Sequence, residues 1–125
     1  MAFIRHPFSI EMLFAFESRN FVVFILEFCS GGELFFQLKN LKRMSEEQAQ
    51  FYFVEICICM LYLHQMGIMY RDIKPENILL DLDGHIRISD FGLSKITSSD
   101  EFAYSFCGSP EYMAPEMLLK RGHTL

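Results

Sequence analysis

The stretch from Ser45 to Gly67 restricts the fold of this chain more than any other. Ser45-Glu-Glu-Gln48 fits a capping box, in which Ser45 caps a helix and Gln48 reaches back to it. The spacing predicts a helix running to about Met66, with Gly67 as the residue that ends it. From Phe51 onward this helix is apolar nearly all round, the pattern of an element buried on every side. Ile-Met-Tyr at 68–70 reads as a short strand. The loop YRDIKPEN, residues 70–77, follows directly and holds Arg71, Asp72, Lys74 and Asn77. Charged groups are costly to bury without partners. Either this loop is solvated, or its groups hold something charged.

The flanking sequence supplies short elements. FVVFILEF, from Phe21 to Phe28, reads as a buried strand of β-branched and aromatic residues. It ends at SGGELFFQLK, where glycines break the strand and a short helix can begin. NILL and HIRIS flank DLDG, and Asp83-Gly84 between two β-prone runs predicts a hairpin. Residues 93–113 read as irregular. Pro110 and Pro115 delay regular structure until a helix near Glu116. No internal repeat, linker or low-complexity tract is present. The polar motifs fall on the connections, where binding and catalytic groups usually lie.

Composition narrows the function classes. The net charge of −5 argues against a nucleic-acid binder, which would carry a basic stripe. No apolar run reaches the ~18 residues of a membrane span. The opening MAFIRHPFSIEM is interrupted by Arg, His and Glu, unlike a secretory signal. Cys29, Cys57, Cys59 and Cys107 form no Cys-x-x-Cys pair, so reduced thiols in an intracellular protein are expected. Half of the residues are hydrophobic and fourteen are Phe. That is rich for 125 residues, and it predicts that some apolar surface lacks cover.

The motifs gain force from their order. Asp-Phe-Gly at 90–92 stands thirteen positions after Asn77, and Ala-Pro-Glu at 114–116 ends twenty-six positions after Asp90. SFCGSPEYMAPE lies between. In this order the chain resembles the eukaryotic protein kinases, with their catalytic loop, magnesium loop and activation segment. Tyr70 before Arg-Asp, together with SFCGSPEYMAPE, resembles the AGC group, which holds the cyclic-nucleotide-dependent kinases, protein kinase C and Akt. GHIRISDFGLSK leans towards the ribosomal-protein kinases of that group. The likeness covers essentially the whole chain, from the strand near Met12 to the end.

The resemblance implies an α+β, protein-kinase-like fold in partial form. Residues 1–26 would be upper-lobe strands, 27–33 the hinge, and 34–125 the first half of a mainly helical lower lobe, through Ala-Pro-Glu. It implies a Ser/Thr kinase using ATP and Mg2+, located in the cytoplasm or nucleus. Phosphoryl transfer gathers negative charge on oxygens and metal ions, so its catalysis is mostly positioning and electrostatics.

Individual roles follow from the same likeness. Asp72 would orient the substrate hydroxyl and accept its proton, and Lys74 would reach the γ-phosphate. Asn77 and Asp90 would hold magnesium, a hard cation that takes oxygen ligands. The backbone from Glu27 to Cys29 would bond adenine beside a gatekeeper Leu26, with Leu79 and Leu34 packing on the adenine side. Glu33 would meet ribose and a basic substrate residue, and Glu76 a second substrate arginine. The partner is therefore a protein with basic residues N-terminal to its Ser or Thr. Ser109 would bridge Asp72 and Lys74, and Pro110, Glu111 and Tyr112 would wall the substrate groove. Met12, Tyr70 and Phe91 match the apolar column called the regulatory spine. Arg71 and Lys95 would bind a phosphate that an upstream kinase places on Ser105.

The sequence contains no Gly-rich phosphate loop, no strand Lys for the α/β-phosphates and no helix Glu to pair with it. Glu116, whose family role is to pair with an Arg well downstream, has no such partner here. The 125 residues alone are therefore expected to be inactive. The alternatives to part of an intact kinase are a truncated, non-catalytic binding module and a pseudogene product.

Overall fold

In the computed structural model, which describes residues 3–98 and 102–124, the capped helix forms as its sequence dictates. Strand β1 (Met12–Glu17), β2 (Val22–Leu26) and β3 (Gly32–Glu33) precede helix α1 (Leu34–Leu41). Helix α2 then spans Glu46–Gln65. The Ser45 hydroxyl accepts the Gln48 N–H at 3.2 Å, and the Gln48 side chain accepts the Ser45 N–H at 3.0 Å. Glu46 and Glu47 in the first turn add charge that favours a helix N-terminus. Gly67, at φ 70°, ends the helix. A Cβ there would stand 2.7 Å from the Thr97 carbonyl oxygen, so only glycine fits.

The expectation that α2 is buried on every side is overturned. Glu55, Cys59 and Leu63, at a spacing of four, form one buried stripe, while Phe53 and Leu61 stand 65 % and 62 % exposed. Among the described residues, nothing packs on the far face. Composition shows how apolar a helix is, but not whether the chain supplies a neighbour for each side.

The strand at 21–28 is also corrected. It forms over Val22–Leu26 and pairs antiparallel with β1, but Phe21, Val22 and Phe24 remain exposed. A two-stranded ribbon without a covering layer cannot bury both faces.

Beyond α2 come β4 (Ile68–Met69), β5 (Ile78–Leu80), β6 (Ile86–Ile88) and β7 (Lys95–Ile96), then a short helix α3 (Pro115–Leu118). Strands β3, β5 and β6 form one antiparallel sheet, with β5–β6 the hairpin expected at DLDG. Asp81 shapes its turn by accepting the N–H groups of Asp83 and His85. Strand β7 pairs with β4 inside the region expected to be irregular, since two residues carry too little periodicity to read.

The core gathers Ile4, Leu34, Cys59, Leu63, Ile68, Tyr70, Ile78, Leu80, Ile86 and Ile88. It lies where α2 meets the β5–β6 hairpin, and it sets the two ends of that hairpin against the loop after β4. The four cysteines are free thiols, of which Cys59 is fully buried, its pKa pushed up to about 12 by burial. Among the described residues, no helix is long and apolar enough to cross a membrane.

Candidate active site

Asp72 stands at the centre of the polar network. It leaves β4 through Arg71, whose φ of 72° is unusual for a residue with a side chain. One Asp72 carboxylate oxygen accepts the Ser109 N–H and the Ser109 hydroxyl, both at 3.1 Å. The other accepts Asn77 Nδ2 at 2.9 Å and pairs with Lys74 Nζ at 2.9 Å. Lys74 Nζ also donates to the Ser109 hydroxyl at 3.2 Å. The Ser109 hydroxyl therefore lies between Asp72 and Lys74. Burial raises the Asp72 pKa, but hydrogen bonds from Lys74, Asn77 and Ser109 outweigh it, and the net shift is downward. Lys74 is shifted upward, first by its hydrogen bond to Asp72.

Local sequence explains this positioning. Pro75 starts a single 3-10 turn, Pro75–Asn77, that brings the Asn77 side chain back to the loop. Its Nδ2 also donates to the Asp72 carbonyl at 2.9 Å. With both donor contacts spent on Asp72, the amide oxygen of Asn77 remains for another partner. The Asn77 carbonyl accepts both the N–H and the hydroxyl of Ser89, at 2.9 and 3.0 Å. Ser89, the residue before Asp90, thus ties the far end of the hairpin to the start of β5.

Asp90 is left-handed at φ 51°, and its side chain accepts the Gly92 N–H at 3.1 Å. Among the described residues, no group of three or more His, Cys, Asp or Glu could form a metal cage. Asn77 and Asp90 instead offer oxygen donors from the two ends of one hairpin. That fits Mg2+, which binds through one or two protein oxygens and completes its shell with phosphate and water.

Phe91 meets Tyr70 edge to face at 5.3 Å, and the Tyr70 hydroxyl donates to the Ser89 carbonyl. A cavity of about 880 Å³ is lined by Met12, Leu26, Leu79, Asp90, Phe91 and Lys95, among others. The sheet places Glu33 opposite Leu79. The Glu27 carboxylate accepts the Glu11 N–H at 2.8 Å and faces Arg87 at 3.7 Å, while Arg87 reaches Asp81 at 3.2 Å. Segment 27–33 is therefore tied to the hairpin. Cys29 is half-buried, its carbonyl accepting the Gly32 N–H at 3.3 Å, and its thiol pKa is raised, chiefly by burial.

The remaining positions divide into two groups. Glu76 has one carboxylate oxygen buried without a partner, and Pro110 begins the exposed turn Pro110–Tyr112 beside Ser109. Arg71 donates Nε to the Leu93 carbonyl at 2.8 Å, with Nη1 buried and unpartnered. Lys95 lies on β7, and Ser105 lies exposed beyond it.

Several structural partners carry no motif. Ser89 gave no signal beyond its place in HIRISD. Gly108, at φ 104°, passes so close to the loop that a Cβ would sit 2.6 Å from the Arg71 carbonyl oxygen. Buried Glu55 accepts the Ile86 N–H at 3.0 Å and meets His85 Nδ1 at 2.5 Å. A lone carboxylate inside an apolar helix was the available signal for it.

Comparison with known proteins bears on the family. Ribosomal protein S6 kinase alpha-2 of Mus musculus is 50 % identical over 125 residues, covering 99 % of this chain and 17 % of that protein. Ribosomal protein S6 kinase alpha-3 of Homo sapiens is 48 % identical, covering 97 % and 16 %. Protein kinase 2 of Dictyostelium discoideum is 48 % identical, covering 96 % and 25 %. The chain thus spans a quarter or less of each of these relatives. Two of them are S6 kinases by name, in line with the lean of GHIRISDFGLSK. The family model described as "Protein kinase domain" matches residues 1–125, and the chain belongs to that family.

Proposed function

We propose that this chain carries the catalytic loop, magnesium loop and activation segment of a protein serine/threonine kinase that moves the γ-phosphate of ATP to basic protein substrates. The observation that carries this reading is the Asp72 carboxylate, held ionised by Lys74, Asn77 and Ser109 at 2.9–3.1 Å. A fixed, charged carboxylate at a loop tip suits the orientation of a hydroxyl and the acceptance of its proton. Lys74 lies on the same network and offsets charge near the γ-phosphate. Mg2+ bound to ATP would supply charge neutralisation on the phosphates, with Asn77 and Asp90 as its protein ligands. The adenine would lie against Leu79, with backbone bonds from Glu27 to Cys29 and the ribose near Glu33.

In this reading residues 1–26 belong to the upper lobe, 27–33 to the hinge and 34–125 to the lower lobe through Ala-Pro-Glu. Glu33 and Glu76 would receive substrate arginines, and the unpartnered buried oxygen of Glu76 supports that assignment. Ser109 and Pro110 would border the substrate. An upstream kinase would phosphorylate Ser105, whose phosphate would meet Arg71 and Lys95. The compartment would be cytoplasm or nucleus.

The test is phosphate transfer to basic Ser peptides with magnesium-ATP by the protein at its full expressed length. Asp72→Asn and Asp90→Ala should each abolish transfer, and Ser105→Ala should lower it strongly. Full activity of Asp72→Asn would reject the mechanism.

A second reading, a non-catalytic binding module, is favoured by the exposed apolar face of α2, which includes Phe53, Val54 and Leu61. Absence of transfer by the wild-type protein, together with retained partner binding by Asp72→Asn, would select it.

A further inference from the structure

His123 lies outside every role assigned above, yet it is buried and tethered. Its backbone pairs with Ala103 in both directions, at 2.8 and 2.9 Å. Directly opposed residues share one face, and both side chains are buried, at 8 % and 2 % exposure. Ser105 follows Ala103 by two residues and is exposed, so a phosphate on it would lie only two residues along the chain from this bridge.

Two nitrogens close to this bridge have no hydrogen-bond partner. His123 Nε2 and Arg71 Nη1 are both buried without a hydrogen bond. Buried polar groups are normally satisfied. Both residues line one cavity of about 310 Å³, together with His64 of α2, Tyr70, Asp72, Tyr112 and Glu116. The His123 pKa is lowered first by burial and then by Arg71 and Lys95, while Glu116 opposes the shift. Burial and the neighbouring cations thus disfavour the imidazolium, in a place where an anion would favour it.

We propose that His123 is a third ligand for a phosphate on Ser105, beside Arg71 and Lys95. This rests on the reading of Ser105 as a phosphoacceptor, in which its Oγ loses a proton and gains the γ-phosphoryl of ATP as ADP leaves. A phosphate dianion next to the ring favours the imidazolium, which donates a charge-assisted hydrogen bond. The grip on the phosphate therefore strengthens as pH falls through the pKa of His123 in the phosphorylated protein.

The test measures how fast an added phosphatase removes phosphate from Ser105 in the protein at its full expressed length. His123→Phe keeps the ring's bulk and removes both nitrogens. It should speed removal about tenfold, the scale of one hydrogen bond to a charged group. The ratio of variant to wild type should be larger at pH 6 than at pH 8. Equal rates at both pH values would overturn the proposal.

His123→Asn retains a donor without a titrating charge. It should keep part of the protection and lose the pH dependence, and it carries the test if the Phe variant does not fold. Wild-type pH dependence in the Asn variant would overturn the proposal. Arg71→Ala separates the two levels. If it speeds removal while the His123 variants do not, only the His123 role falls. If neither affects the rate, the reading of Ser105 falls as well, and the proposal with it.

Discussion

Replacing Glu55 tests how the site is held in place. Its carboxylate is buried on α2, accepts the Ile86 N–H at 3.0 Å and meets His85 Nδ1. Ile86 is fully buried, so Glu55→Ala leaves its N–H without an acceptor. The loss is about 2 kcal/mol, within the range of about 1–3 kcal/mol for an orphaned buried donor. No energy is added for His85, because its ring lies largely in water. At about 1.36 kcal/mol per tenfold, amide exchange at Ile86 should speed up by about thirtyfold. Glu55→Gln keeps an acceptor for Ile86 and should cost less than about 1 kcal/mol.

The pH dependence follows from His85, whose pKa is raised first by its hydrogen bond to Glu55 and then by the Glu55 charge. A raised pKa in the folded state stabilises fully below the ordinary value of 6.5 and fades as pH rises through the raised value. The gap between wild type and Glu55→Gln should therefore be wider at pH 6 than at pH 8. Hydrogen exchange read by mass spectrometry at both pH values is the assay. An exchange rate at Ile86 within threefold of wild type in Glu55→Ala would refute the reasoning. The hairpin matters because Asn77 lies just before its first strand and Asp90 just after Ser89 at its far end.

Other perturbations probe the site directly. Ser109→Ala removes the hydroxyl between Asp72 and Lys74 and should lower the rate of phosphate transfer, whereas Ser109→Thr keeps the hydroxyl and should retain most of it. Gly108→Ala must place a Cβ 2.6 Å from the Arg71 carbonyl at φ 104°; thermal unfolding should show a loss of about 2 kcal/mol or more. Asp72 has a lowered pKa, so its ionised form contributes stability above the ordinary value of 3.8 that is lost as pH falls through the lower, folded value. Asp72→Asn should flatten that acid limb in urea unfolding measured from pH 5 downward.

The local elements were legible because their causes are local. Ser45 and Gln48 stand three residues apart and cap the same helix, so four letters specify the bond. Asp83-Gly84 marks its own turn, and Gly67 its own helix end. The order of YRDIKPEN, DFG and APE was enough to identify the family, because motif order is a property of the chain itself.

What sequence left open depended on distant neighbours. The apolar faces of α2 and β2 looked equally buried from composition, yet only contacts from other segments decide which side loses water. Glu55 was one acid in an apolar run until residues thirty positions away supplied its partners. His123 carried no motif; its place beside Arg71 exists only because the chain folds back through Ala103. Sequence by itself determined the family, the caps, the turns and the residue types of the site. Tertiary structure alone decided burial and the partners of isolated polar groups, because both depend on segments that meet in space.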